Sequence, residues 1–306
     1  YGFFPAVGVA WNVSNEPYFP LSLKKYISNF RVRASMGKTG NDRTGGARFL
    51  YMPTFVDGDS YAIGIGSAGT SNSIRGLIED RFESPGISWE IETKRNIGFD
   101  LGLWDNRIDV SMDFFNDQRT DILLRRRTVL DVAGFNQNPW QNYGIVNNKG
   151  FDGGINLTQV IGDVTLSGKG TLTYAKNEIV EYDELPPPYD WMKVTGKRIT
   201  GHTGQLPLIA ERLFTDDDFY ITQDADGNNV YTLKEGLTPT PWGPTLPGVI
   251  KYMDLNGDGR IDNNDRVYDP QGWHPANPEL IYGFGLGVSY KGFYVNAFFQ
   301  GAANVT

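Results

Sequence analysis

The sequence has no cysteine, two histidines (His202 and His274), and fewer basic than acidic residues, 28 against 36. Without cysteine there are no disulfides, no thiolate catalysis and no thiolate metal sites. A net charge of -8 argues against a nucleic-acid partner, because phosphates are met by clustered Lys and Arg. No apolar run approaches the roughly 18 residues that a membrane helix needs, and no signal-peptide pattern opens the chain. That absence does not touch a β-barrel, whose strands alternate, so a mean hydropathy of -0.38 is compatible with one.

What is abundant points to β-structure. The 306 residues include 37 glycines, 18 Phe, 16 Tyr and 7 Trp, a mixture of turn formers and strand formers. Period-two alternation is clearest from Leu280 to Tyr290, where Leu280, Tyr282, Phe284, Leu286, Val288 and Tyr290 share one face and Gly283, Gly285, Gly287 and Ser289 the other. After Lys291-Gly292 the pattern returns in Phe293, Val295, Ala297 and Phe299, which predicts a hairpin. A second hairpin sets Ile97, Phe99, Leu101 and Leu103 beside Ile108, Val110, Met112 and Phe114, with Asp100, Asp109 and Asp113 on the opposite face. A third turns at Ile161 to Val164 between Phe151–Val160 and Thr165–Tyr174, and a fourth joins Val7–Trp11 to Phe30–Met36.

The spacing thus predicts about eight antiparallel strands, with long loops over about 38–88, 119–150 and 177–279. Long loops on one rim and short turns on the other are the pattern of a transmembrane β-barrel with short periplasmic turns and long extracellular loops. Tyr282 and Tyr290 bracket one apolar face as interface girdles do. The alternative is a soluble, calcium-stabilised β-sandwich that binds carbohydrate, in which the same apolar faces are buried against a second sheet.

"DLNGDGRIDNND" matches the calcium-loop pattern: Asp254 at position 1, Asn256 at 3, Asp258 at 5, Gly259 at 6, the Arg260 carbonyl at 7, Asp262 at 9 and Asp265 at 12. Hard oxygen donors at alternating positions converge when the glycine allows a sharp turn. Asp265 is a methylene shorter than the usual Glu, which weakens bidentate contact, and the Pro-containing and β-branched flanks are poor helix formers. The expected role is structural Ca2+ binding. Trp140, Trp191, Trp242 and Trp273 lie in the long loops and are candidates for substrate or partner contact.

No catalytic residues are assigned. There is no G-x-S-x-G, and "GIGSAG" at 64–69 fits the dinucleotide fingerprint without a βαβ unit around it. Glu90, Glu92 and Asp216 to Asp218 are carboxylates of the type glycosidases pair, with lumen-facing or solvated roles as the simpler reading. Arg125 to Arg127 follow a strand end, where they meet headgroups or solvent.

Several stretches in order resemble SusC/RagA-like TonB-dependent outer-membrane transporters. "SWEIETKRNIGFDLGLWDNRIDVSMDFFNDQRTDILL" resembles a barrel hairpin of that family, through Trp89-Glu90, Asn96-Ile97-Gly98, Arg107 and Thr120-Asp121. "ASMGKTGND" (Ala34 to Asp42), "NNKGFD" and the run from Asp254 to Gly301 are similar in the same order, although Phe151 and Asp152 stand where a Glu is expected after Lys-Gly. The resemblance implies that residues 1–306 are a middle-to-late segment of a barrel, with the plug domain and C-terminal strands absent. It further implies residence in the outer membrane of a Gram-negative bacterium and import of oligosaccharides or peptides. A SusD-like surface lipoprotein is the implied lid, TonB acts through the missing plug, and the lipid bilayer surrounds the wall. No enzyme activity and no nucleic-acid partner are implied.

Overall fold

A computed structural model describes residues 2–44, 48–65, 71–129, 137–201, 206–271 and 273–305. Its main body is one eight-stranded antiparallel sheet. In chain order the strands are β1 (Ala6–Asn12), β2 (Ile27–Asn41), β3 (Thr54–Ile65), β4 (Ser71–Arg81), β5 (Glu90–Leu103), β6 (Ile108–Arg125), β7 (Trp140–Ile161), β8 (Val164–Glu181), β9 (Ala210–Leu213), β10 (Phe219–Gln223), β11 (Asn229–Leu233), β12 (Ile250–Tyr252), β13 (Leu280–Tyr290) and β14 (Phe293–Ala303). The large sheet runs β1-β2-β5-β6-β7-β8-β13-β14, so each strand of the sheet lies beside the next and none is crossed over. The sheet is open, with β1 and β14 at its edges.

The eight strands expected from alternation are the eight of this sheet. Its tight turns lie at one end, after β5, β7 and β13. The last is built by Lys291 (φ 47°) and Gly292 (φ 89°), the two left-handed residues that a two-residue hairpin requires to match strand twist.

The expected loops need correction. Within 38–88, β2 continues to Asn41 and β3 pairs with β4; within 119–150, β6 runs to Arg125 and β7 starts at Trp140; within 177–279 lie β9 with β12 and β10 with β11. The strands extend beyond their alternating parts because long antiparallel pairing continues where both faces are polar. Over β7 the register with β8 is unbroken from Val146 to Ile161.

The two faces of the sheet differ sharply. Ile97, Phe114, Phe151 and Tyr174 stand in one rank across β5 to β8, and Phe151 lies 6.2 Å from Phe114 and 5.9 Å from Tyr174 between ring centroids. On β13, Phe284 is 49% exposed and Leu286 67%. Among the described residues no second sheet covers this apolar face, so they do not form the buried interior that a sandwich requires. The residues that are buried gather instead in the loops beyond the strands, around Phe214, Phe219, Leu208, Ile261 and Val267.

Candidate functional site

The opposite face of the sheet carries charge. Asp100 on β5 and Ser111 and Asp113 on β6 point to this side because they alternate with Phe99, Met112 and Phe114. Arg33 on β2 reaches across them: its Nη2 donates to Asp100 Oδ1 at 3.1 Å, Ser111 Oγ at 3.1 Å and Asp113 Oδ2 at 2.9 Å. Arg31 Nε donates to Asp100 Oδ2 at 2.8 Å. Gly98 makes room, since a Cβ there would stand 2.4 Å from Asp113 Oδ1. Asp109, expected on the same face, is exposed near the turn. The arrangement is a polar surface whose charges are paired along the sheet, with Ser111 Oγ also donating to Asp100 Oδ1 at 2.9 Å.

The loop region is tied to the strand ends by carboxylates. Asp183, 4% exposed, forms an ion pair with the Arg126 guanidinium at 3.0 Å and accepts from Thr128 Oγ1 at 2.8 Å and from the backbone N–H of Arg127. Burial pushes its pKa up, but these donors outweigh it and hold the carboxyl at about 2. Arg198 binds Asp269 at 2.9 Å and Glu279 at 3.2 Å, fastening the segment beside β8 to the approach into β13. Asp218 is held by Arg212 at 2.5 Å and by the Thr215 N–H at 2.9 Å, which keep its pKa well below the usual carboxylate range.

Three of the carboxylates that invited a glycosidase reading are engaged by such contacts. Asp218 is clamped by Arg212, and Glu90 accepts from Asn41 Nδ2 at 2.8 Å and from the Leu123 N–H at 3.3 Å. Glu92 lies 3.4 Å from Lys94. The three arginines are likewise engaged: Arg125 lies over Trp140, Arg126 over Tyr143 and Arg127 over Tyr182. His202 and most of the 64–69 stretch lie outside the described residues.

The calcium-type loop is closed by its own backbone. Asp254 accepts from the N–H groups of Gly257 at 2.7 Å and Gly259 at 2.8 Å. Asn256, Asp258 and Asp262 each accept from the N–H two residues on, in Asx turns. Asp265 is fully buried, with one carboxylate oxygen on Leu255 N at 2.8 Å and the other on Asp262 N at 2.9 Å. Gly257 and Gly259 take positive φ, 74° and 80°, as the sharp turn demands. Among the described residues no Lys, Arg or His lies within 4.0 Å of these four aspartates, and no three His, Cys, Asp or Glu side chains are grouped to hold a metal. The donor set suits a hard cation, while the side chains are folded back onto N–H groups.

The four tryptophans separate. Trp191 stacks on Tyr189 at 4.5 Å and donates its indole N–H to Asn264 O at 2.8 Å, so it props the calcium-type loop. Trp140 is covered by Arg125. Trp242 is 57% exposed, edge-on to Tyr252. Trp273 lines a polar cavity of about 660 Å³ with Lys149, Lys176, Lys197, Arg198 and Glu279. No local pattern along the chain marks this cavity, because it joins strand residues to segments far away in sequence.

No family model matches the chain. Three TonB-dependent receptors of Formosa agariphila do. Receptor P3 is 28% identical over 305 residues, 98% of this chain and 28% of the receptor. Receptors P26 and P39 are each 26% identical over 98% of this chain, covering 28% and 29% of their own lengths. The chain therefore spans less than a third of the curated relatives it matches. In fold it is similar to a chain of the RagAB peptide transporter (TM-score 0.60, 19% identity, 98% of this chain and 29% of that one). A chain of the RagAB peptide importer in its open-open state gives TM-score 0.64 at 17% identity, over 99% and 28%. Over nearly its whole length the chain resembles TonB-dependent receptors, and its fold is that of a segment of a RagAB-type transporter chain.

Proposed function

We propose that the chain forms eight wall strands and the adjoining outer loops of a TonB-dependent transporter in a Gram-negative outer membrane, and that it catalyses no reaction. The observation that carries this reading is the uncovered apolar face, with Leu286 67% exposed, backed on the other side by the Arg33–Asp100–Asp113 network. From Phe151 to Ile161 the outward face of β7 runs about 33 Å at roughly 3.3 Å per residue. Tilted by about 40°, that becomes roughly 25 Å, the height of the apolar band on such a barrel. In this reading the charged face borders the lumen.

The remaining strands and the plug are supplied by the portion of the relatives' length that this chain does not span, and TonB acts through that plug. The long-loop end, with Trp242 and Trp273 exposed, is the face offered to a SusD-like surface lipoprotein and to an incoming oligosaccharide or peptide. The similarity to RagAB favours peptide; the loop aromatics serve either. Uptake by cells carrying the complete transporter, compared for labelled oligopeptides and oligosaccharides with and without TonB, tests the activity. Recovery of the protein from the soluble fraction without detergent would refute the membrane assignment.

Calcium, in this proposal, is a structural ion held by Asp254, Asn256, Asp258, the Arg260 carbonyl, Asp262 and Asp265. It would add rigidity to a loop that its backbone hydrogen bonds already close.

A further inference from the structure

Immediately beyond the aromatic rank of Phe114, Phe151 and Tyr174, the same outward face changes from apolar to cationic. The next rank is Asn116 on β6, Lys149 on β7 and Lys176 on β8, with Lys149 and Lys176 directly opposite each other. Arg95, beside Met36, continues the rank on β5, and Lys38 on β2 stands one position further out. All four cationic side chains are exposed. Among the described residues none has an acidic partner within 4.0 Å.

Like charges placed directly opposite on neighbouring strands repel, and the sheet shows elsewhere that it can pair its cations. On the other face Arg31 and Arg33 are matched by Asp100 and Asp113. On the outward face the acid in the following rank is Glu178, which forms no ion pair among the described residues, and Asp269 and Glu279 are taken by Arg198. Lys197 adds a further cation at the rim of the cavity that lies over Lys149 and Lys176. Glu178, Asp269 and Glu279 line the same cavity without an ion pair to Lys149 or Lys176, so the ammonium groups of this rank are open to an anion from outside the chain.

We propose that Arg95, Lys149 and Lys176, with Lys38 and Lys197 beside them, form a docking belt for the phosphate groups of lipid A in the outer leaflet. The order along the strands is the reason: apolar band, aromatic rank, then cations, which is the order of acyl chains, interface and anionic headgroups in a bilayer. Long lysine stems can lie along the apolar edge while their ammonium groups reach phosphate. The inference rests on the lipid-facing reading of the apolar face.

The test uses the complete transporter, first located by membrane fractionation and then extracted in mild detergent, with bound lipid A counted by mass spectrometry. Lys149→Gln/Lys176→Gln should retain about tenfold less lipid A, Lys149→Arg/Lys176→Arg should retain it, and Lys94→Gln, on the opposite face, should not change it. Equal retention by wild type and Lys149→Gln/Lys176→Gln would overturn the belt while leaving the transporter reading intact. Complete displacement by millimolar inorganic phosphate would also overturn it, by making the cluster a site for free anions. Absence of the wild type from the outer-membrane fraction would instead defeat the transporter reading on which the belt rests.

Discussion

Phe284 and Phe299 stack across the last hairpin with ring centroids 5.0 Å apart and planes 22° from parallel, yet they remain 49% and 55% exposed. An ordered aromatic pair left uncovered is costly in water and natural in hydrocarbon. Leu286, on the same face, is the position where this difference is easiest to read. Leu286→Arg should destabilise the membrane-inserted protein by about 2–4 kcal/mol, the cost of a cation near the bilayer midplane of a barrel. Thr173→Arg, which faces the other way and lies opposite Asp152, should cost under about 1 kcal/mol. Urea unfolding from phospholipid vesicles measures both.

The Arg33 network predicts an asymmetry between two arginines. Arg33 alone serves Asp113, whereas Asp100 is shared with the more exposed Arg31. Arg33→Met should therefore cost about 2 kcal/mol, because it leaves a partly buried carboxylate without its charged donor. Arg31→Met should cost less than about 1 kcal/mol. The same urea titration separates them.

Asp183 makes the strand-end clasp sensitive to acid. Its folded pKa, about 2, lies below the ordinary value of 3.8, so the stabilisation is fully present above about pH 4 and is lost as pH falls through about 2. The shift corresponds to roughly 2 kcal/mol. Hydrogen exchange at 126–128 should accelerate between pH 4 and pH 2 in the wild type. In Asp183→Asn it should already be fast at pH 7.

The calcium-type loop should stay closed without its ion. Limited proteolysis in EDTA should spare 254–265 in the wild type and cut it in Asp265→Asn, where an amide group replaces an oxygen that accepts a buried N–H. Calcium titration calorimetry should give weak binding, with a dissociation constant of about 0.1–1 mM, as rigid extracellular sites with few effective charges show. Asp258→Asn should weaken it further. No heat at 10 mM calcium, on the order of ten times the weaker limit, would reduce the loop to a purely structural turn.

The eight strands of the large sheet were legible because one face of each is apolar at period two, and the register carries that face across the sheet from Val9 to Phe299. The β3–β4 hairpin was not, since three register shifts interrupt its alternation. Nor was the first part of β7, where Trp140 to Gly150 carries polar residues on both faces. The calcium spacing was visible by position, but the commitment of its carboxylates to backbone N–H groups was not. The hydrogen bond by which Trp191 props the calcium-type loop was not visible either, because its partner Asn264 is remote in sequence. The Lys149–Lys176 pair illustrates the same limit: each lysine is unremarkable alone and becomes informative only through the strand register.

The central claim is that the apolar face meets lipid. Residues 1–306 carry no cysteine, so in the complete transporter, with any cysteine elsewhere replaced by serine, Leu286→Cys and Thr173→Cys can each be labelled with bimane and reconstituted in brominated phosphatidylcholine. The account predicts strong quenching at 286 and little at 173. Equal quenching at both, or none at 286, would contradict it.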